Sequence, residues 1–221
     1  MRINVVTHNP GKVREYQAAF AGTGIEMVHV NREYDEIQTD SLEEVVRKGM
    51  AQLRDEGLED FIVDDSGLFV DALKGFPGVY SSYGQKTIGN DGILKLMEGR
   101  TDRGAEFRCC IGASLGGKEI VVTGVCRGEI LMCQKGEGGF GYDPIFSADG
   151  KRSFAEMDTE EKNRVSHRGN AFGLFRKALA EMGMLTSVRR LQGKERYAPA
   201  LQKFVRCGHE VLEARQRRGL K

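Results

Sequence analysis

At 221 residues with 40% hydrophobic and 29% charged content, the chain has the composition of an ordinary soluble globular protein and enough length to bury a core of its own. No run approaches the roughly 18 to 20 apolar residues of a membrane span, and a strand begins at once with no signal-peptide pattern, so a cytoplasmic protein is expected rather than a secreted or membrane one. The net charge of +1 hides an asymmetry: residues 186–221 hold 10 Lys+Arg against 3 Asp+Glu, which leaves 23 against 29 over residues 1–185, and an acidic body that binds a polyanion needs a metal ion or a few focused lysines.

Ile3 to Thr7 reads as a short β-branched strand and Val13 to about Ala21 as a helix, which makes "HNPGK" (His8, Asn9, Pro10, Gly11, Lys12) the hinge between them. Such a turn exposes helix N–H groups, the helix dipole adds partial positive charge, and Lys12 adds a full one, so the turn suits a phosphate or carboxylate. It is not the nucleotide P-loop, which requires more glycine and a hydroxyl after the lysine. Ile25 to Val30 reads as a strand. "SLEE" at Ser41 to Glu44 is a capping box opening a helix to about Glu56. "FIV" at Phe61 to Val63 reads as a short buried strand ending at Asp64 and Asp65, "GFPGVYSS" at Gly75 to Ser82 as a tight turn, and Gly89 to Met97 as a helix. From Phe107 to Leu131 strand-like runs broken by glycine suggest a hairpin or meander. "GEGGFGYDPIF" at Gly136 to Phe146 combines a flexible loop with an aromatic strand, and a last core helix runs from near Ser166 to Met182. Alternation first and clustered strands later predict an α/β fold with a mixed sheet. Five cysteines lack any CxxC or Cys/His ligand spacing and read as reduced, mostly buried residues.

Several segments carry possible chemistry, each with a plainer alternative. Asp64 and Asp65 end a strand, where one can serve as a ligand for Mg2+ or a base for water; side chains alternate along a strand, so only one of them faces a given site, and both could instead cap a turn. Glu36 lies in "EYDEIQTD", either a solvated acidic loop or, if it converges with Asp65, half of a hard-oxygen site. Phe140 and Tyr142 in "FGYDPIF", beside Gly141 and Asp143, either stack on a base or fill the core. Lys162, Ser166, His167 and Arg168 stand at a helix entrance that suits a carbonyl or an anion, or is a plain Ser cap with basic neighbours.

Together, "THNPGK", "EIQ" with its downstream lysine, "VDDSGLFVDALKGFPGVYSS", "GFGYDPIF" and "FAEMDTEEKNRVSHRG" closely resemble the inosine/xanthosine triphosphate pyrophosphatase family over about residues 1–184. The resemblance implies Mg2+-dependent hydrolysis of ITP, dITP and XTP at the α-phosphate, cleansing the nucleotide pool. It implies an elongated mixed sheet with helices in two lobes around a nucleotide cleft. It places the phosphates on the Thr7 to Lys12 turn and on Lys48, twelve residues after Glu36. It makes Glu36 and Asp65 the metal ligands, Asp65 also the base, and Ser66 a substrate contact. Phe140 would stack on the purine, Gly141, Tyr142 and Asp143 would shape that pocket, and Lys162, His167 and Arg168 would lie around the base. A homodimer is implied, with "GFPGVYSS" to "KTIG" as its contact region. Within the same chemistry, action on other nucleotides is an alternative; a nucleotide-sensing or RNA-binding protein without turnover is another, against which the two acids speak.

The domain expected over residues 1–185 is followed by a basic extension, 186–221. There Leu201, Phe204, Val205, Val211 and Leu212 fall near helical spacing after Pro199, with Arg215, Arg217 and Arg218 at the end. This reads as an amphipathic helix packing on the body or a partner subunit, with a basic tail binding nucleic acid or a partner, or plain disorder, as the alternatives.

Overall fold

The computed structural model describes residues 1–185. The extension read from residues 186–221 lies outside the described residues. Seven strands form one mixed sheet: β1 (Arg2–Val6), β2 (Glu26–Val30), β3 (Phe61–Val70), β4 (Pro77–Gly78), β5 (Gly104–Leu115), β6 (Lys118–Ile130) and β7 (Phe146–Ser147), in the order β2-β1-β3-β5-β6-β7 with β4 also on β3. β1 pairs in parallel with β2 and β3, and every later pairing is antiparallel. The helices are α1 (Pro10–Phe20), α2 (Leu42–Asp55), α3 (Ser81–Thr87), α4 (Gly89–Leu96), α5 (Thr159–Val165) and α6 (His167–Glu181). No helix among the described residues is long and apolar enough to cross a membrane.

The sheet separates helices onto two faces because alternate residues of β1, β3 and β5 are buried on opposite sides. Ile3, Val5, Ile62, Cys109 and Ile111 meet Tyr16 and Phe20 of α1 and Phe172 and Phe175 of α6. There the Tyr16 and Phe172 rings meet edge to face, centroids 4.8 Å apart. Val6, Phe61, Val63 and Cys110 face Val46, Met50 and Leu53 of α2. A further cluster, Leu68, Val70, Phe107, Phe146 and Phe154 with Ile93, holds the far half of β3. Each such fully buried side chain contributes about 1.5–3 kcal/mol over exposure.

Three local readings change. Asp64 and Asp65 do not end a strand: β3 continues to Val70 because β5 pairs with it along its whole length, whereas β1 reaches only Phe61 and Ile62. The "FGYDPIF" segment is not an aromatic strand but a loop leading into a 3-10 turn at Asp143–Ile145, with only Phe146–Ser147 joining the sheet. Lys162 stands not at the α6 entrance but on the separate short helix α5, which Asp158 caps and Ser166 ends. The capping at α2 is also altered. Ser41 Oγ accepts from Glu44 N at 3.3 Å, but Glu44 takes the Thr39 hydroxyl, and Thr39 Oγ1 accepts from Ser41 N. The expected hairpin is β5 and β6, joined at Gly116 and Gly117, both at positive φ as a two-residue reversal requires. Cys109, Cys110 and Cys126 are buried and Cys133 exposed, all four free; Cys207 lies outside the described residues.

Candidate active site

The turn from β1 into α1 is tightened by its own side chains. Thr7 Oγ1 accepts from Asn9 N (3.1 Å), and Asn9 Oδ1 accepts from Gly11 N (2.8 Å) and Lys12 N (3.4 Å). Asn9 therefore caps α1 itself, Pro10 takes the first helical position, and His8 turns outward to Asn31. Gly11 is needed for a close approach: a Cβ there would stand 2.6 Å from Cδ1 of Phe140. The turn and the Phe140 ring are thus in contact although far apart in sequence.

Lys12 does not reach into solvent. Its ammonium donates to the backbone O of Asp64 at 2.8 Å and lies 3.2 Å from Asp64 Oδ1. Arg168 closes on the same carboxylate with Nε to Oδ2 at 2.9 Å, and spends its other nitrogens on Glu15 Oε2 (2.6 Å) and Ser66 Oγ (2.8 Å). Glu15 Oε1 accepts from Lys162 Nζ at 2.8 Å, and Lys162 donates also to Asp143 Oδ2 at 2.8 Å, where Phe140 N donates as well. The result is a buried chain of alternating charge, Lys12, Asp64, Arg168, Glu15, Lys162, Asp143, in which three cations and three carboxylates balance. Burial alone would raise the Glu15 and Asp64 carboxyls, but the adjoining cations outweigh it and hold both below the ordinary range. At Asp143 burial prevails over Lys162 and the carboxyl is raised. Asp64 and Glu15 were not among the site residues expected. The signal for Glu15 was its place three residues after Lys12 on one helical face; for Asp64 the alternation argument holds, but both faces of β3 turn out to be used.

On the opposite face of β3 from Asp64, Asp65 accepts from Ser66 N at 2.8 Å. Burial raises its carboxyl from the ordinary 3.8 to about 6, Lys12 opposes the rise and Glu36 adds to it. Glu36 is exposed in the segment before α2, and its negative charge is felt at Asp65. Lys48 is exposed on α2. Tyr34, not anticipated, packs against the α2 core cluster with burial, Asp64, Asp65 and Glu36 all holding its phenol protonated. The half-buried Asp65 carboxylate and the exposed Glu36 carboxylate repel one another, and a divalent cation would relieve this. Among the described residues no third His, Cys, Asp or Glu joins them, which fits Mg2+, a cation that takes one or two carboxylates with substrate phosphates.

The sign of the Asp65 shift gives a testable expectation. A raised carboxyl binds its proton more tightly folded than unfolded, so its contribution is present below pH 3.8 and is lost as pH rises toward about 6. Without divalent cations, the urea midpoint of the native chain should fall across that window relative to an Asp65→Asn variant. Parallel midpoints would show Asp65 to be fully hydrated.

The other end of the network surrounds Phe140. Lys162 Nζ lies 4.6 Å from its ring centroid and Arg168 Cζ 5.8 Å. Gly141, at positive φ, lets the chain turn after it, its carbonyl accepting from Asn90. Tyr142 is turned into the core, its hydroxyl donating to Ser81 O at 3.1 Å. His167 stacks on Phe107 at 4.5 Å and 13°. Burial first, then Arg168, Lys162 and Lys12, push its pKa well down, so the ring is neutral, with Nδ1 buried and unpartnered.

Residues 3–178 match the model of the Ham1 family. A dITP/XTP pyrophosphatase of Pyrococcus horikoshii is 53% identical over 177 residues, 79% of this chain and 95% of that one. The chain belongs to the Ham1 family. A second Ham1-type relative, a dITP/XTP pyrophosphatase of Thermococcus kodakarensis, is 50% identical over 182 residues, 82% of this chain and 98% of that one. The Ham1 fold is equally evident in solved structures. The Staphylococcus aureus Ham1 protein superposes with a TM-score of 0.71 at 29% identity, and a Coxiella burnetii HAM1 protein with 0.70 at 30%, each over 82% of this chain. The family resemblance carried by the sequence motifs is therefore borne out, as is the α/β fold with a mixed central sheet.

Proposed function

We propose that this Ham1 protein hydrolyses non-canonical purine nucleoside triphosphates, dITP, ITP and XTP, to the monophosphate and pyrophosphate. The observation that carries this reading is the joined site. The turn's Lys12 and the cations beside the Phe140 ring are joined in one buried network, and Asp65, its carboxyl raised, adjoins that network through Ser66, whose N donates to Asp65 and whose Oγ accepts from Arg168. The named activities of relatives at 53% and 50% identity support the substrate class.

In this reading the nucleotide lies in a cleft between two lobes of an elongated domain spanning residues 1–185, its phosphates at the Thr7 to Lys12 turn and at Lys48. Mg2+, held by Glu36 and Asp65 with the phosphates, would neutralise negative charge on the reacting phosphoryl group. Asp65 accepts a proton from the attacking water as its oxygen bonds to the α-phosphorus, the α–β bridging P–O bond breaks, and pyrophosphate leaves. A carboxylate placed beside the attacking water suits this proton transfer. Phosphoryl transfer asks for positioning and charge neutralisation rather than a covalent nucleophile. Phe140, with Lys162 on one face, stacks the purine on its other, within walls shaped by Gly141, Tyr142 and Asp143. Lys162, His167 and Arg168 lie around the base, Arg168 fixed by its bonds to Asp64, Glu15 and Ser66: a 6-keto oxygen satisfies a donor facing it there, whereas an adenine 6-amino group leaves a buried donor unpaired at about 1–3 kcal/mol each.

Pyrophosphate release from ITP, XTP, dITP, ATP, GTP and CTP, measured with Mg2+ and with chelator, tests the proposal. Metal-dependent release confined to the first three is expected; equal release from all six would refute the base selectivity. Phe140→Ala should raise KM by the roughly 1–3 kcal/mol that a base gains on an aromatic face. An unchanged KM would remove the ring from the base site. The protein is further proposed to be cytoplasmic and a homodimer contacting through Gly75 to Gly89, where Phe76, Tyr80, Tyr83 and Ile88 are exposed. A monomer mass by light scattering at micromolar concentration would contradict the dimer.

A further inference from the structure

Residues 31–41 contain no helix or strand, yet Glu36 must be presented to Asp65 from within them. Something other than a backbone ladder therefore sets the position of Glu36. After Glu36 the segment is tied to α2 by the Thr39 hydroxyl on Glu44, and before it at three further places. Arg32 pairs with Glu56, just past the end of α2, and Asp35 N donates to Gln52 Oε1 at 2.8 Å. Between them the Tyr34 ring lies on Gly49, where an added Cβ would stand 2.6 Å from Cδ2, 2.8 Å from Cε2 and 3.1 Å from Cγ. Gly49 occupies the buried face in the middle of α2, a place where glycine weakens a helix relative to alanine. The ring needs that space: the three atoms nearest an added Cβ all belong to it. Gly49 also follows Lys48 directly.

We propose that Tyr34 is a positioning residue, whose ring seated on Gly49 fixes the Glu36 carboxylate opposite Asp65 and thereby sets the geometry of the divalent cation site. This rests on the reading of Glu36 and Asp65 as metal ligands. The ring acts by its shape and not through its hydroxyl, so phenylalanine replaces it and alanine does not. A Cβ at residue 49 displaces the ring by the same steric argument, while strengthening the helix itself.

The test is Mn2+ binding to the full-length protein, read by electron paramagnetic resonance without turnover, alongside the Mg2+ dependence of pyrophosphate release and thermal melting. Tyr34→Ala and Gly49→Ala should each weaken Mn2+ binding by about tenfold or more, as loss of a ligand's supporting contact does. The Mg2+ requirement should rise in parallel, and Tyr34→Phe should retain native binding. Should Tyr34→Ala not fold, Gly49→Ala against Tyr34→Phe decides the matter. Native Mn2+ affinity in the alanine variants, with only the melting temperature lowered, would overturn the assignment by making the ring a filler. Tyr34→Phe as weak as Tyr34→Ala would overturn it in favour of the hydroxyl. A native chain that binds no Mn2+ would overturn the metal reading itself, an outcome distinct from a defect confined to the variants.

Discussion

Asp65→Asn should lower pyrophosphate release from dITP by about 10²- to 10⁴-fold, the range for removal of a placed general base. The substitution is nearly isosteric: the amide oxygen can still accept from Ser66 N, so the β3 strand and its pairing with Cys110 of β5 persist. The variant loses proton-accepting power and the negative charge that Asp65 would offer to Mg2+ beside Glu36, so release is measured at saturating Mg2+. Its stability should equal or exceed that of the native chain, because a carboxylate raised to about 6 is strained at neutral pH. Rates from a pyrophosphate-coupled assay and melts of the same samples separate chemistry from folding. Turnover within tenfold of native would refute the assignment of Asp65 as base.

Glu15→Gln addresses the other half of the site, and its effect falls on stability as well. Glu15 is the single anion shared by Lys162 and Arg168, and all three side chains are almost wholly buried. Breaking a buried pair leaves a desolvated charge uncompensated, at about 3–5 kcal/mol. Urea unfolding at neutral pH should show a loss of that order, and KM should rise because Lys162 and Arg168 each lose one of their two carboxylate partners, leaving Asp143 and Asp64. The carboxyl of Glu15 is held below its ordinary value, so its contribution is complete above the usual carboxylate range and is lost as pH falls through the folded value. The difference between native and variant should accordingly shrink in acid. A loss under about 1 kcal/mol at pH 7 would mean that water reaches the network and screens it.

Much of this molecule was open to sequence reasoning because the deciding physics is local. The β-branched run before a Pro-Gly turn makes β1 and α1, Ser41 marks the start of α2, and Gly116-Gly117 turns β5 into β6. Each depends on residues a few positions apart. The motif residues Lys12, Asp65, Phe140, Lys162 and Arg168 stood out as candidates, and the resemblance of their motifs to the family is what singled them out. The lengths of β3 and of the "FGYDPIF" segment were not, since a strand ends where its partner ends. β5, some 40 residues on, carries β3 past the two aspartates, and for Tyr142 and Asp143 no long partner exists.

The sequence by itself determined the family, the phosphate-suited turn and the pair of acids. Tertiary structure alone decided what they are joined to. Glu15 and Lys162 are separated by 147 residues, and Asp64 and Arg168 by 104. Only the packing of α1, α5 and α6 on one face of the sheet removes water from between them. Burying any one of these charges alone would be prohibitive, so their alternation, which no short stretch of chain contains, is what permits all of them to be dry.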